Sequence, residues 1–293
     1  MNQIKPVPRG FDAQTWERFT RDGFLLVKHA LTQQEVGAIT QGVDAIIAKS
    51  PGDQTIVEMN ILEASASFDC LIDHPSHIGF IHDVYGDMSK ILLTEAVVRP
   101  RTDLKRNKWH FDGPRILPFK DFSPQLPLRI KAAYWLTPLP NAGMGNMLVI
   151  PGSHRTPFLD EYHTHMSRDD EHCICAEPGD MLLMHEGLWH RVDQNHSEIV
   201  RKTIFLEYGP TWVPSSDRYL LPDTVMARLN REQRILVRNY AHPNHMIKPP
   251  EEDCPLYGYQ DDHLAVRYTS VVPVSLRQKM TRVQREFLQP AYA

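Results

Sequence analysis

The sequence is poor in cysteine and has no long hydrophobic run. Four cysteines in 293 residues are too few and too irregularly spaced for a disulfide framework. No apolar run is long enough to span a bilayer, and the start, Met1 to Pro6, lacks the apolar core of a signal peptide. We therefore expect a cytoplasmic protein with no membrane partner.

The sequence also lacks a dominant charge. Its 32 basic and 36 acidic side chains give a net charge of −4, which provides no electrostatic basis for a nucleic-acid partner. A composition of 42% hydrophobic and 23% charged residues is ordinary for a globular protein. We expect a single domain over residues 1–293, monomeric or homodimeric, that acts on a small molecule.

Short apolar segments separated by Pro, Gly and Asn fill residues 91–213. Such a pattern is typical of an antiparallel sandwich or barrel. Strands are predicted at 91–93, 96–98, 130–136, 147–150, 181–184 and 203–208. Residues 1–90 are predicted to form a helical N-terminal support, with a short strand at Phe24–Val27 and a capping box at Thr32 and Glu35. Residues 214–293 are predicted to form a C-terminal helical cap, with helices at Asp223–Asn239 and Val274–Leu288.

The triplet His110-Phe111-Asp112 and the later His190 are the candidate metal ligands. Alternate side chains of a strand share a face, so His110 and Asp112 would project together toward one point. The third ligand must come from elsewhere, and His190 follows the predicted buried strand at 181–184. Two imidazoles and one carboxylate leave the opposite face of a metal open, as non-haem Fe(II) oxygenases require for a co-substrate and O₂.

Arg201 lies in a predicted strand in which Arg201, Thr203 and Phe205 share one face. Burying an arginine is costly unless an anion meets its guanidinium, and a carboxylate binding both prongs is the natural partner. A small dicarboxylate that chelates iron at one end and binds Arg201 at the other has the shape of 2-oxoglutarate. Arg201 and Thr203 are therefore the candidate co-substrate residues.

In this order, the motifs resemble the phytanoyl-CoA dioxygenase-like (PhyH) family of Fe(II)/2-oxoglutarate-dependent oxygenases. The resemblance covers about residues 15–215 and is carried by four segments: Trp109–Gly113, the Gly145–His154 loop, Gly179-Asp180 leading to His190, and Arg201 eleven residues later. It implies a mainly β fold with flanking α-helices and a double-stranded β-helix (jelly roll, cupin-like) core containing the metal site at 91–213.

The same resemblance implies residue roles. His110, Asp112 and His190 would bind iron, and Arg201 would hold the distal carboxylate of 2-oxoglutarate. Tyr134, eleven residues before Gly145, would occupy the place where the family often keeps an aromatic residue beside the co-substrate. The sequence departs from the family pattern at two positions, with Phe111 where many members carry a polar residue and Val192 where a small hydroxyl residue can help bind the co-substrate.

The implied reaction consumes 2-oxoglutarate and O₂ at Fe(II), with ascorbate as a reductant, and yields succinate and CO₂. The presence of Asp112 favours hydroxylation over halogenation, because halogenating members usually have Gly or Ala there to make room for halide. Desaturation, epimerisation and ring formation remain alternatives from the same radical. The preferred substrate is a small, partly apolar metabolite in a biosynthetic tailoring step.

Two other functions stay open. An acyl-CoA or carrier-bound acyl hydroxylase would be favoured if the basic stretch Arg99, Arg101, Lys105, Arg106 and Lys108 bound a phosphate, although exposed loop charges are the preferred interpretation. A non-oxidative metal-binding β-barrel protein belongs to a different class. Arg201 argues against it, because a barrel that never binds a dicarboxylate has little reason to place an arginine in that strand.

Overall fold

A computed structural model describes residues 4–49, 54–103, 108–112, 127–155, 166–240, 243–247 and 249–258. The strands are β1 Phe24–Val27, β2 Ile56–Met59, β3 Ser89–Arg99, β4 Ile130–Trp135, β5 Met147–Val149, β6 His172–Cys173, β7 Met181–His185, β8 His190–Val192 and β9 Arg201–Pro210. The helices are α1 Ala13–Asp22, α2 Gln33–Ile47, α3 Ile61–Ala64, α4 Ile78–Tyr85, α5 Asp223–Met226, α6 Arg231–Val237 and α7 Pro243–Ile247.

The strands form two sheets. The larger has six strands in the order β1-β7-β4-β9-β3-β2, and the smaller has three in the order β6-β5-β8. All strand pairs within the two sheets are antiparallel. From β4 onward the chain passes repeatedly between the sheets, because β4, β7 and β9 belong to the larger and β5, β6 and β8 to the smaller. The predicted strands between residues 91 and 208 are confirmed, and those at 91–93 and 96–98 merge into β3.

The central strands of the larger sheet are buried on both faces, and β4 shows this by its alternation. Ala133 and Trp135 pack into an inner cluster together with Met147 and Val149 of the smaller sheet. Ala132 and Tyr134 point the other way, into an outer cluster that includes residues of the helices. Because successive side chains of a strand alternate between faces, one strand supplies both cores. The space between the two sheets is therefore where inward-facing polar side chains can meet.

The N-terminal helices cover the outer face of the larger sheet. The predicted capping box is confirmed, since the Glu35 amide donates to Thr32 Oγ1 (3.3 Å) and the Thr32 amide donates to Glu35 Oε2 (2.8 Å). Residues 1–90 are more than a helical support, however. Strand β1 pairs with β7 and strand β2 pairs with β3, so this segment supplies both edges of the larger sheet.

The C-terminal segment differs from its prediction in one respect. The helix expected at Asp223–Asn239 is two short helices, because Asn230 adopts an extended conformation and its side chain caps α6 by accepting from the Gln233 amide. The helix predicted at Val274–Leu288 lies outside the described residues. None of the helices in the described ranges is both long and apolar enough to cross a membrane.

Candidate active site

Backbone hydrogen bonds place the His110-Phe111-Asp112 segment beside β8. The His110 amide donates to the His190 carbonyl (3.0 Å) and the His190 amide donates to the His110 carbonyl (2.8 Å). Two residues on, the Asp112 amide donates to the Glu186 carbonyl (3.0 Å). The triplet is thus an isolated bridge next to β8 rather than a continuous strand, yet the predicted sharing of one side by His110 and Asp112 is preserved.

The two histidines are oriented by matching contacts. Nδ1 of His110 lies 2.9 Å from the Lys108 carbonyl and Nδ1 of His190 lies 2.9 Å from the Leu188 carbonyl. A carbonyl can only accept, so each Nδ1 carries the proton and each Nε2 retains its lone pair. The two rings lie 4.3 Å apart between centroids. Fixing the tautomer through Nδ1 is how proteins prepare a histidine for a metal ion.

Asp112 completes a three-residue metal-binding group. Its Oδ1 lies 3.8 Å from His110 Nε2 and its Oδ2 lies 3.6 Å from His190 Nε2. One ligand atom from each of the three residues lies within 4.8 Å of the others. Burial lowers the pKa of His190 to about 4, so its imidazole is neutral and can donate its lone pair at neutral pH. These donors fit a divalent transition metal with open coordination positions.

Lys131 is a part of this site that the sequence analysis missed. Its Nζ lies 2.5 Å from Asp112 Oδ2 and 5.7 Å from the centre of the Phe205 ring. Burial by itself would raise the pKa of Asp112, but Lys131 and then His190 outweigh it and hold that pKa below its usual range. The carboxylate is therefore ionised and oriented before any metal arrives. The signal in the sequence was a lysine within the otherwise apolar strand β4.

Arg201 is held on the inner face of the larger sheet. It is 1% exposed, its Nε donates to Thr203 Oγ1 (2.8 Å), and its Nη1 donates to the Gly145 carbonyl (2.5 Å). Its Nη2 is buried with no hydrogen-bond partner among the described residues. Burial and the neighbouring Arg99 lower the pKa of Arg201 to about 9, which still leaves the guanidinium charged. A buried cation with an unused donor is suited to an anionic ligand.

Gly145 allows the backbone to reach this guanidinium. Its φ of +74° lies in the left-handed region that side chains rarely adopt, and an added Cβ would lie 3.3 Å from Asn195 Cβ and 3.6 Å from Arg201 Cδ. Because the position needs both a positive φ and free space, we expect substitution to displace the carbonyl that accepts from Arg201.

The metal-binding group and Arg201 line the same cavity of about 350 Å³. Arg99 lies at the Arg201 end, as the register partner of Arg201 on β3. The remaining wall is mixed, with Glu95 and Lys131 among apolar side chains. The predicted residues His110, Asp112, His190 and Arg201 are thus brought together around one space, while Thr203 contributes by orienting Arg201.

A family model for phytanoyl-CoA dioxygenase (PhyH) matches residues 19–203 of the sequence, well over half of its length. The chain belongs to the phytanoyl-CoA dioxygenase family. Comparison with curated proteins finds no match.

Solved structures with similar folds include HygX from Streptomyces hygroscopicus and two enzymes from nogalamycin biosynthesis. HygX from Streptomyces hygroscopicus, with nickel and 2-oxoglutarate bound, has a TM-score of 0.61 and 20% identity, over 70% of this chain and 90% of HygX. SnoK, a non-heme alpha-ketoglutarate-dependent carbocyclase from nogalamycin biosynthesis, has a TM-score of 0.53 and 18% identity, over 75% and 94%. SnoN, an epimerase from the same biosynthesis, has a TM-score of 0.52 and 16% identity, over 68% of this chain and 80% of SnoN. At these low identities, the structural similarity shows a shared fold and nothing further.

The placement predicted for Tyr134 in this PhyH-family chain is wrong. Tyr134 points to the outer face of the larger sheet, where its hydroxyl lies 2.6 Å from His77 Nδ1 and 2.7 Å from Ser76 Oγ. Its neighbours in β4, Ala133 and Lys131, face inward instead. The aromatic side chain is therefore separated from the cavity by the sheet itself.

The two departures from the PhyH pattern have different surroundings. Phe111 turns away from the metal-binding group and packs edge-on against Trp189, with ring centroids 5.0 Å apart. Val192 lines the cavity and adds apolar surface where a hydroxyl would have added a hydrogen bond. Gly113, the last residue of the motif, lies outside the described residues.

The preferred interpretation of the basic stretch as exposed loop charges is wrong for Arg99. That residue is 6% exposed and faces the cavity beside Arg201. Arg101 is exposed and forms an ion pair with Glu198, as expected for a surface charge. Lys105 and Arg106 lie outside the described residues. The sequence stretch therefore does not form one uniform basic surface.

Proposed function

We propose that this PhyH-family chain is an Fe(II)/2-oxoglutarate-dependent oxygenase that hydroxylates a small, partly apolar metabolite. One observation carries the proposal: the metal-binding group of His110, Asp112 and His190 lines the same cavity as Arg201. The Arg201 guanidinium is buried, and its Nη2 has no hydrogen-bond partner among the described residues. A metal group alone fits many functions. Its pairing with a buried cation across a small cavity favours a chelating dicarboxylate.

Each residue has a role in this proposal. His110 and His190 would bind iron through Nε2, and Asp112 would bind it through a carboxylate oxygen while Lys131 keeps the carboxylate oriented. Arg201, oriented by Thr203 and the Gly145 carbonyl, would hold the distal carboxylate of 2-oxoglutarate. When bound, iron would supply an oxidation in which O₂ converts 2-oxoglutarate to succinate and CO₂ and provides the oxygen atom that replaces a substrate C–H bond with C–OH. The apolar inner cluster would keep bulk water out.

The proposed architecture is a double-stranded β-helix, or jelly roll. It is supported by two antiparallel sheets that share an inner cluster and by a chain that passes repeatedly between them. Such a core would bring ligands from separate segments to one end of the space between the sheets. We further propose the predicted arrangement of one domain in the cytoplasm.

Hydroxylation is the proposed outcome because Asp112 occupies the carboxylate position and leaves no coordination site for halide. The structural neighbours include a carbocyclase and an epimerase, so a shared fold does not fix the outcome of the reaction. The acyl-CoA alternative loses Arg99 as a surface phosphate contact, because Arg99 turns inward to the cavity.

Turnover of 2-oxoglutarate in the presence of a metabolite panel tests this proposal. We expect Fe(II)-dependent succinate release that rises above the substrate-free background with at least one class of small metabolite. His190→Ala should remove both the background and the stimulated release. Equal succinate release by wild type and His190→Ala would contradict the proposal.

A further inference from the structure

Glu95 of β3 is an ionisable side chain in the cavity that the proposed chemistry does not use. It lies on the same face of β3 as Val97 and Arg99, and all three line the cavity. Burial raises the pKa of Glu95, and the charge of Lys131, more than that of Arg99, offsets part of this rise without a hydrogen bond. Among the described residues, no donor forms a hydrogen bond or a close ion pair with its carboxylate.

Other acidic groups near the site have partners. Asp112 is bonded to Lys131 at 2.5 Å, and Glu207 is bonded to Arg129 at 2.8 Å. Glu186 accepts from the Leu128 amide at 2.8 Å. A partly buried carboxylate is costly to keep without a donor, and a donor that arrives with a ligand removes that cost. Glu95 is therefore the acidic group of this cavity that is available to a ligand.

Glu95 lies too far along the sheet to serve 2-oxoglutarate at Arg201. Arg99 is the register partner of Arg201, and Glu95 is the register partner of Phe205. Four residues at a rise of about 3.3 Å per residue put Glu95 and Arg99 about 13 Å apart along β3. A dicarboxylate whose two ends are held by Arg201 and the metal group also has no donor to offer the Glu95 carboxylate. A ligand at Glu95 is accordingly a second molecule.

The wall around Glu95 is apolar and partly uncovered. Val57 of β2 lines the cavity and is 54% exposed, and Met59, on the same face of β2, is 44% exposed. Val97 and Phe205 flank Glu95 on the neighbouring positions of the sheet and also line the cavity. The site thus offers one carboxylate next to an apolar surface, beside the metal-binding group.

We propose that Glu95 recognises the primary substrate and that this substrate carries a protonated amine next to an apolar portion. The ammonium group would bind the Glu95 carboxylate, and the apolar portion would lie against Val57, Val97 and Phe205. An ammonium is favoured over a hydroxyl because a charge-assisted hydrogen bond offsets the burial of a carboxylate far better than a neutral one does. This inference rests on the proposed oxygenase function and specifies its substrate class.

Binding of a matched pair of probes to the nickel- and 2-oxoglutarate-loaded protein tests the inference. Cyclohexylamine and cyclohexanol have nearly the same shape, and only the amine is charged at neutral pH. We expect wild type to bind cyclohexylamine roughly tenfold more tightly or better, as one charge-assisted contact predicts. Glu95→Gln keeps the shape of the side chain without its charge and should abolish that preference.

Glu58→Gln is the matched control, because Glu58 lies on β2 in register with Ala96, which packs into the outer cluster. That variant should retain the amine preference. Glu95→Gln should bind 2-oxoglutarate with an affinity within about threefold of wild type, since it lies outside the Arg201 contact. An equal affinity of wild type for both probes, or an amine preference that survives in Glu95→Gln, would overturn the inference. Failure of wild type to bind nickel and 2-oxoglutarate would instead contradict the proposed function.

Discussion

Substitution of Arg201 by lysine tests the co-substrate assignment most informatively. The guanidinium already donates to Thr203 Oγ1 at 2.8 Å and to the Gly145 carbonyl at 2.5 Å, and its Nη2 has no partner in the described ranges. A lysine ammonium is a single point charge that cannot keep both protein contacts and also grip a carboxylate. Each lost charge-assisted hydrogen bond costs about 1.5–3 kcal/mol.

The expected loss converts directly into affinity. Since about 1.4 kcal/mol is tenfold in Kd, Arg201→Lys should weaken 2-oxoglutarate binding by roughly tenfold to a hundredfold. Isothermal titration of 2-oxoglutarate into nickel-loaded protein measures it, with thermal denaturation as a check that the variant is folded. Lys202→Ala is the matched control, because Lys202 points to the other face and pairs with Asp44 near the surface. Unchanged affinity in Arg201→Lys together with weakened affinity in Lys202→Ala would refute the reasoning.

Three further results are expected. Tyr134→Phe should leave the Kd for 2-oxoglutarate unchanged. It should lower the free energy of unfolding, measured by chemical denaturation, by about 1–3 kcal/mol, because His77 loses its hydroxyl partner at 2.6 Å. Weaker binding of 2-oxoglutarate by the folded variant would contradict the outer-face placement. Burial lowers the pKa of His77 well below 6.5, so below that pH the unfolded chain binds a proton at His77 that the folded chain does not. The free energy of unfolding should therefore fall as the pH drops below about 6.5, by up to about 1.4 kcal/mol per pH unit from this residue. Urea denaturation at several pH values should show that the free energy of unfolding falls less steeply with decreasing pH in His77→Gln than in wild type. Parallel pH dependences of the two proteins would argue against this role of His77. Added chloride should change neither the mass nor the rate of formation of the product seen by mass spectrometry, because Asp112 fills the carboxylate position; a chlorinated product would be the contrary result.

Much of the metal-binding group was predictable because it depends on local pattern. Apolar segments bounded by turn residues predicted the strands around His190 and Arg201. The two-residue spacing of His110 and Asp112 predicted that their side chains lie on the same side of the chain. The antiparallel bridge between His110 and His190 is a long-range contact, and no local pattern specifies it. The family resemblance implied only that His110 and His190 share a metal ion, not the backbone bridge that brings them together.

The failure at Tyr134 has a simple physical reason. A displacement of one residue along a strand moves a side chain to the opposite face, so a count of residues back from Gly145 cannot fix the face without the register. In the structure, Tyr134 is in register with Ile204, an outer-face residue, whereas Arg201 and Thr203 belong to the inner face. A spacing rule that is correct to within one residue therefore gives the wrong face.

Lys131 and Glu95 were overlooked, and Arg99 was interpreted as a surface charge, for a related reason. Each is a charged residue within or at the end of a strand that is otherwise largely apolar, and each faces the cavity. A charge in such a run is costly unless it is paired or functional, so it is a usable signal. Only the charge of Arg201 was interpreted in this way, although Arg99 is the register partner of Arg201.

Anaerobic equilibrium dialysis of Fe(II) in the presence of 2-oxoglutarate tests the central claim most directly. The wild-type chain should bind one Fe(II), because His110, Asp112 and His190 present one metal-binding group. His190→Ala, checked for a folded state by circular dichroism, should lose most of that binding because two ligands remain. The account is contradicted if wild type binds no Fe(II), or if folded His190→Ala binds it as tightly as wild type does.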